Sequence, residues 1–287
     1  MGGLEGEDLP RGKTGSYARK RHARRGEFAK LQFFLQFRYT CTLLDGKARN
    51  LVEPVAAYDR IAPEFEAISE QHRAYLTGIE RLVMEQIPGG ARSLLDVGAG
   101  DGSRAFRIAA ANGLKELVLL EPSAGMRAKW PAETRGWAIR AEELASRNAA
   151  FDVITCLWNV LGHIFPQASR TEVLRQCGRL LAPEGLLFID VNHRYNAGHY
   201  GLAKTLLRVL HDRLLPNERN GDVTSSWNVN GETCTTSGHV FTDSEFRRMC
   251  SLAGLAVRKA VAVDYRTGRV RRFKYSGSLF YVLQRIG

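Results

Sequence analysis

Leu94-Leu95-Asp96-Val97-Gly98-Ala99-Gly100-Asp101-Gly102 is the segment on which the reading of this chain turns. An apolar run beginning at Ser93 gives a short buried strand. It passes directly into three alternating glycines, and a helix is predicted from about 103 to 111. Glycine permits the positive φ angles of a tight turn and lacks the Cβ that would hold a ligand away from the backbone. The open amides at the start of the helix attract a carboxylate or phosphate. Leu117-Val118-Leu119-Leu120 forms a second apolar strand ending at Glu121, 19 residues beyond Gly102. A carboxylate at that strand end can accept hydrogen bonds from both hydroxyls of an adenosine ribose. Turn and acid together point to an adenosine-containing cofactor.

The alternation of strand and helix continues outward. Before the glycine turn, Phe65, Ile68, Tyr75, Ile79, Leu82 and Val83 fall at helical spacing and predict one helix over 63–86, stopped by Pro88-Gly89-Gly90. After it come a helix at 123–129, a weak strand at 137–140, a strand at 151–157, a helix at 170–181 and a strand at 186–191. Apolar strands without polar alternation, separated by helices, indicate a parallel sheet covered on both faces. An amphipathic helix over 201–215 is expected to pack its leucines over the active site, with a membrane-surface helix as the alternative. A hairpin at 224–242 with its turn at 228–231, a helix at 243–253 and strands at 256–263 and 278–284 complete the chain.

Composition is that of an ordinary globular protein: 287 residues, 44% hydrophobic and 25% charged. No apolar run approaches the roughly 18 residues of a membrane span, and Met1 to Arg11 contain no apolar core of a secretory signal. Cys41, Cys156, Cys177, Cys234 and Cys250 are widely spaced, as expected of reduced thiols in a cytoplasmic enzyme. No metal-ligand spacing is present, and neither a metal nor a membrane partner is expected. The net charge of +11 invites a nucleic-acid reading, but much of it lies in Arg19-Lys20-Arg21-His22-Ala23-Arg24-Arg25. That run belongs to residues 1–50, which read as a basic, disordered tail interrupted by an apolar patch at 31–37. A second cluster, Arg266, Arg269, Arg271, Arg272 and Lys274, also reads as solvated surface.

Gly98-x-Gly100-x-Gly102 is not the dinucleotide fingerprint; it resembles motif I of class I S-adenosylmethionine-dependent methyltransferases, with Asp96 at its acidic position. Glu121-Pro122-Ser123 with Met126 resembles motif II. Ala141-Glu142-Glu143 falls where that family places an acidic contact to adenine, with Glu in place of the usual Asp. Phe151-Asp152-Val153-Ile154 resembles motif IV, and Leu181 to Leu187 the turn after it, with Glu184 replacing a glycine. The two last strands resemble the antiparallel hairpin of the methyltransferase sheet. The resemblance covers about 55–287. It implies an α/β, Rossmann-like doubly wound fold with a mostly parallel, seven-stranded sheet and a C-terminal antiparallel hairpin. The domain is then 51–287, with a helical and hairpin substrate-covering insertion at about 197–242. The cofactor implied is S-adenosyl-L-methionine. Its site would take Asp96, Gly98, Ala99, Gly100, Gly102, Glu121, Pro122, Met126, Ala141 and Glu142. Tyr58-Asp59-Arg60-Ile61-Ala62 resembles a helix entry whose tyrosine closes over the cofactor.

Methyl transfer from a sulfonium is an in-line displacement in which the protein chiefly aligns the partners and, for a protonated nucleophile, supplies a base. The loop leaving the fourth strand offers Leu157, Trp158 and Asn159 to line the site and His163 as a candidate base. The loop after the fifth offers Arg194, whose guanidinium suits a substrate carboxylate, and Tyr195. Residues 151–196 also resemble the corresponding stretch of glycine and sarcosine N-methyltransferases, in which an arginine grips the amino-acid carboxylate. A small-molecule amine or hydroxyl acceptor is the leading expectation. An RNA or protein acceptor steered by the basic segments, and a non-catalytic binding subunit, are the alternatives. Oligomeric state is not legible.

Overall fold

The computed structural model describes residues 51–287 together with Gly2 and the strand β1 (Thr40–Cys41). The expectation of a disordered tail over 1–50 and the patch at 31–37 otherwise lie outside the described residues. Helix α1 (Pro54–Ile61) has proline in its first turn, where a missing N–H breaks no helical bond, and is capped by Glu53, which accepts from the Ala56 amide at 3.2 Å. A 3₁₀ turn at Ala62–Glu64 leads to α2 (Phe65–Gln71) and α3 (Arg73–Met84). The single helix expected over 63–86 is therefore two. His72 breaks it at φ −110°, ψ 10°, with its ring packed against Trp158 and Tyr265. Apolar periodicity does not register such a break, because both halves keep their apolar side inward.

The glycine segment folds as read: β2 (Ser93–Val97) is wholly buried and passes into α4 (Ser103–Asn112). Next are β3 (Glu116–Leu120), α5 (Ala124–Arg127) and β4 (Gly136–Trp137). The strand expected at 137–140 is shorter and ends earlier, since the Arg140 amide already donates to Glu143 to start a turn at Ala141–Ser146. Strand β5 (Phe151–Cys156), α6 (Gln167–Arg179) and β6 (Leu181–Val191) follow. Beyond β6 lie α7 (Ala197–Tyr200), α8 (Leu202–Leu214), β7 (Asp222–Val229) and β8 (Glu232–His239). The hairpin turn is Asn230-Gly231, with φ of 51° and 83°, the pair of positive angles that a two-residue turn between twisted strands requires. Helix α9 (Asp243–Leu252) starts at a capping box in which the Thr242 hydroxyl accepts from the Glu245 amide at 3.1 Å. The chain ends with β9 (Leu255–Val263), β10 (Val270–Arg271) and β11 (Ser278–Arg285).

The main sheet has the order β10-β9-β11-β6-β5-β2-β3-β4. Its five strands from β6 to β4 are parallel, and β11 is antiparallel to both β6 and β9. The fold class is the one the motifs imply, with an eighth strand, the two-residue β10, beyond the expected seven. A second, antiparallel sheet, β1-β7-β8, is built on the hairpin. Two apolar clusters cover the main sheet, one including Leu95, Ile154 and Phe246, the other Leu94, Ile108 and Phe188. Among the described residues no helix is long and apolar enough to cross a membrane.

The expected packing of the 201–215 helix over the active site is corrected. In α8 only Thr205 is buried, and the leucine stripe faces solvent. Polar contacts set this orientation: Asp212 turns inward to accept from Arg194 and from the Tyr195 hydroxyl.

Candidate active site

A cleft of about 850 Å³ opens at the carboxyl ends of β2, β3 and β5 and is walled on one side by α1, α2 and α3. This is the edge at which parallel α/β sheets bind ligands. Its floor is Gly98, Ala99 and Gly100. Gly98 has φ 72°, and a Cβ there would sit 2.5 Å from a Val160 methyl. We therefore expect Gly98→Ala to destabilise the fold by roughly 1–3 kcal/mol. Thermal unfolding checks this, and an unchanged Tm would show that the turn relaxes.

At one end of the floor the Glu121 carboxylate is buried beside Pro122, Ala141 and Glu142. It accepts from the Gly100 amide and the Ser123 amide, each at 2.9 Å. Each carboxylate oxygen keeps a further lone pair for a ligand hydroxyl. Burial raises the Glu121 pKa despite the two amide donors. Trp130 braces the turn by donating its indole N–H to the Gly100 carbonyl at 2.9 Å.

At the opposite wall stand Tyr58, Leu157, Trp158 and His163. Helix α1 carries Tyr58 and is tied down by Asp59, whose carboxylate accepts from the Ser123 hydroxyl at 2.6 Å and the Gly125 amide at 2.9 Å. Trp158 and Asn159 have φ of 65° and 58°, left-handed values that few non-glycine residues adopt. Asp190 holds the first of them, accepting from the Trp158 amide and, at 2.5 Å, from the Tyr75 hydroxyl. Burial pushes the Asp190 carboxyl up to about 6. The Trp158 indole donates to the Tyr265 hydroxyl at 2.9 Å. Asn159 is buried beneath the cleft, accepting from the Asn192 amide at 2.9 Å and donating to the His239 carbonyl at 3.3 Å.

His163 has a definite tautomer. Its Nδ1 lies 3.0 Å from the Ser237 carbonyl, which can only accept, so Nδ1 carries the proton. Nε2 is then a lone pair, 3.3 Å from the Tyr58 hydroxyl that donates to it. Burial lowers the His163 pKa, which favours the neutral ring.

The structure thus brings together Tyr58, Gly98, Ala99, Gly100, Glu121, Pro122, Ala141, Glu142, Leu157, Trp158 and His163 around one cleft. Others from the sequence lie outside its lining. Asp96 is fully buried and holds Arg104 through contacts of 3.1 and 3.0 Å while accepting from Thr155 at 2.7 Å. Gly102 starts α4, Met126 is core, and Asn159 supports the loop from below. Arg194 is only 5% exposed. It is held by Asp212 at 3.0 Å, Glu245 at 2.7 Å and the Val240 carbonyl at 3.2 Å. Tyr195 donates to the same Asp212 at 2.7 Å. These contacts occupy Arg194 internally and replace the substrate-carboxylate role expected of it. Phe65, read only as an apolar position of its helix, and Arg104, not singled out, also line the cleft. The signal for Arg104 was its place in the first helical turn after the glycines, within reach of Asp96.

The family described as Methyltransferase domain matches residues 67–260. A glycine/sarcosine N-methyltransferase of Halorhodospira halochloris is 29% identical over 125 residues, which cover 38% of this chain and 46% of that protein. The match thus spans less than half the length of that relative. Among solved structures, the CcbJ methyltransferase of Streptomyces caelestis superposes with a TM-score of 0.56 at 17% identity, covering 73% of this chain and 90% of that one. An S-adenosylmethionine-dependent methyltransferase of Clostridium acetobutylicum gives 0.54 at 14% identity, with 78% and 99% covered. The sugar N-methyltransferase KedS8 of a Streptoalloteichus species gives 0.50 at 18%, with 86% and 98% covered. At these identities the structural likeness speaks for the fold.

Proposed function

This chain belongs to the methyltransferase-domain family, with the class I S-adenosylmethionine-dependent methyltransferase fold, and on that premise we propose that it methylates an amine or hydroxyl of a small molecule. S-adenosylmethionine is the methyl donor that family and fold indicate. The cleft suits it: two side-chain-free glycine positions form the floor, and a buried carboxylate lies at one end for the ribose. Glu121, with Pro122, Ala141 and Glu142, would hold the adenosine part. Gly98, Ala99 and Gly100 would lie under the amino-acid part, with Tyr58, Leu157 and Trp158 as walls. The donor supplies an electrophilic methyl and its own leaving group.

The observation that carries the acceptor side is the Tyr58–His163 pair in the cleft wall. The Tyr58 hydroxyl can take the proton of an amine or hydroxyl nucleophile while passing its own to the neutral Nε2 lone pair, and the Ser237 carbonyl steadies the resulting imidazolium through Nδ1–H. A small acceptor is supported by the relatives, one an amino-acid and one a sugar N-methyltransferase by name. The carboxylate-bearing acceptor expected from Arg194 loses that anchor, so the class is set by the nucleophile alone.

The test is transfer of labelled methyl from S-adenosylmethionine to a panel of small amines, amino acids and aminosugars. His163→Gln is expected to lower kcat by about 10²–10⁴-fold with S-adenosylhomocysteine affinity unchanged. Because burial lowers the His163 pKa, its base form persists below the ordinary 6.5, and kcat should fall only as pH drops through the lowered value. Unchanged kcat in His163→Gln would remove the base. Label passing to RNA or protein, with none to the panel, would overturn the small-molecule reading.

A further inference from the structure

We propose that the outward face of α8 is a docking surface for an anionic lipid membrane. Among the described residues, this face is the main exposed apolar feature that the cleft and its chemistry do not use. Leu202, Leu206, Leu207, Leu210, Leu214 and Leu215 are 54–74% exposed. An apolar helical stripe ordinarily faces a core, and a soluble surface rarely carries so many adjacent leucines.

The helix cannot rotate to hide them. Its inner side is fixed by Asp212, which accepts from Arg194, Tyr195 and the Asn220 amide group, the last at 3.0 Å. Arg208 donates to the Arg194 carbonyl at 3.2 Å and lies 3.9 Å above the Tyr200 ring. At about 100° per residue, the leucines of α8 occupy an arc of roughly 140°. Lys204 lies about 60° beyond one edge of that arc, and Arg213 falls within it, between Leu202 and Leu206. Asp212, the one acidic residue of the helix, points inward. The exposed face is therefore apolar, with one arginine set into it and a lysine beside it.

The second basic cluster of the sequence adjoins it. Arg271 to Tyr275 are all exposed, with Phe273 at 70%, and Arg272 lies over the Phe273 ring. Arg271 is paired with Asp264 and Lys274 with Asp243, which leaves Arg272 as the cation of this run that no carboxylate among the described residues engages. The 3₁₀ turn Lys274–Ser276 packs on α7, which in turn packs on α8. Leucines need an apolar phase, and Lys204, Arg213 and Arg272, to which the described residues supply no carboxylate, need anions. A second copy of this face would set cation against cation. A polynucleotide would satisfy the cations and leave the leucine stripe in water. An anionic bilayer answers both needs, with the helix lying in the interface and its cations at the headgroups. This takes the place of the expected absence of a membrane partner, and it does not rest on the methyltransferase reading.

The experiment is co-sedimentation of the full chain with vesicles of phosphatidylcholine containing about 30% phosphatidylserine, and with vesicles of phosphatidylcholine alone. Binding to the first is expected, weakened by salt and much reduced for the second. Replacing Leu207, Leu210 and Leu214 by serine removes outward side chains only. It should lower the apparent vesicle affinity by about tenfold or more with circular dichroism and Tm unchanged. Absence of vesicle binding, equal binding by the folded triple variant, or a dimer in light scattering that the variant dissolves would each overturn the proposal.

Discussion

Arg194→Met is expected to lower the free energy of unfolding by about 3–5 kcal/mol, the usual cost of removing one partner from a buried ion pair. Its guanidinium is the hub of a network that joins four separate parts of the chain. Asp212 comes from α8, Glu245 from α9, and His239 from the end of β8. His239 in turn has one ring nitrogen 2.8 Å from Asp222 and the other 2.8 Å from Glu245. Arg170 stands at the edge, 3.9 Å from Asp222. Methionine fills the space but leaves Asp212 and Glu245 without their cation. Denaturant unfolding measures the effect, and a loss under about 1 kcal/mol would mean the network relaxes or admits water. The pH dependence has a definite sign. Burial raises the Glu245 carboxyl, but its hydrogen bond to His239 and the Arg194 charge bring the net pKa below the ordinary 4.5. Burial likewise raises Asp212, and the Tyr195 and Arg194 hydrogen bonds outweigh it. Both therefore stabilise the fold above their ordinary pKa values, and that stability is lost as pH falls through the lowered ones. Arg194→Met should flatten this acid limb. A substrate-gripping arginine would instead raise KM and leave the unfolding curve in place.

Glu121→Ala should weaken S-adenosylhomocysteine binding by roughly a hundredfold or more. Two hydrogen bonds to a charged acceptor contribute about 1.5–3 kcal/mol each. The variant also deprives the Gly100 and Ser123 amides of their acceptor, so a fall in stability of about 1–3 kcal/mol accompanies it. Glu121→Gln keeps one acceptor oxygen for these two amides and sets its NH2 against the other. It should lose less stability than Glu121→Ala and still lose most of the affinity that depends on charge. Because burial raises the Glu121 pKa, acidification should begin to weaken cofactor binding above the ordinary 4.5. Calorimetry across pH measures both, and unchanged affinity in Glu121→Ala would remove this residue from the site.

The sheet was legible because its parallel strands are buried on both faces. Leu94–Val97, Leu117–Leu120 and Phe151–Cys156 then become unbroken apolar runs set off by glycines. The floor of the cleft was legible for a related reason: Gly98 and Glu121 sit at fixed offsets from strand ends. Features decided by contacts distant in sequence were not legible. The orientation of α8 depends on Asp212 meeting Arg194, and the break at His72 on its packing against Trp158 and Tyr265. Leucine spacing shows that a stripe exists and leaves its direction open. Arg194 illustrates the same limit. A polar loop at the ligand edge suggests a substrate contact, but its acceptors lie 18 and 51 residues further on. His163 falls between these cases: its place after β5 was readable, whereas its tautomer depends on Ser237, 74 residues away in the hairpin.

Calorimetric titration of the full chain with S-adenosylmethionine, S-adenosylhomocysteine and NAD tests the central claim most directly. Saturable binding of the first two in the Gly98–Glu121 cleft, lost in Glu121→Ala, with no binding of NAD, is the result predicted. Binding of NAD alone would contradict it, because the glycine turn would then hold a dinucleotide and the methyl-transfer chemistry built on Tyr58 and His163 would have no donor.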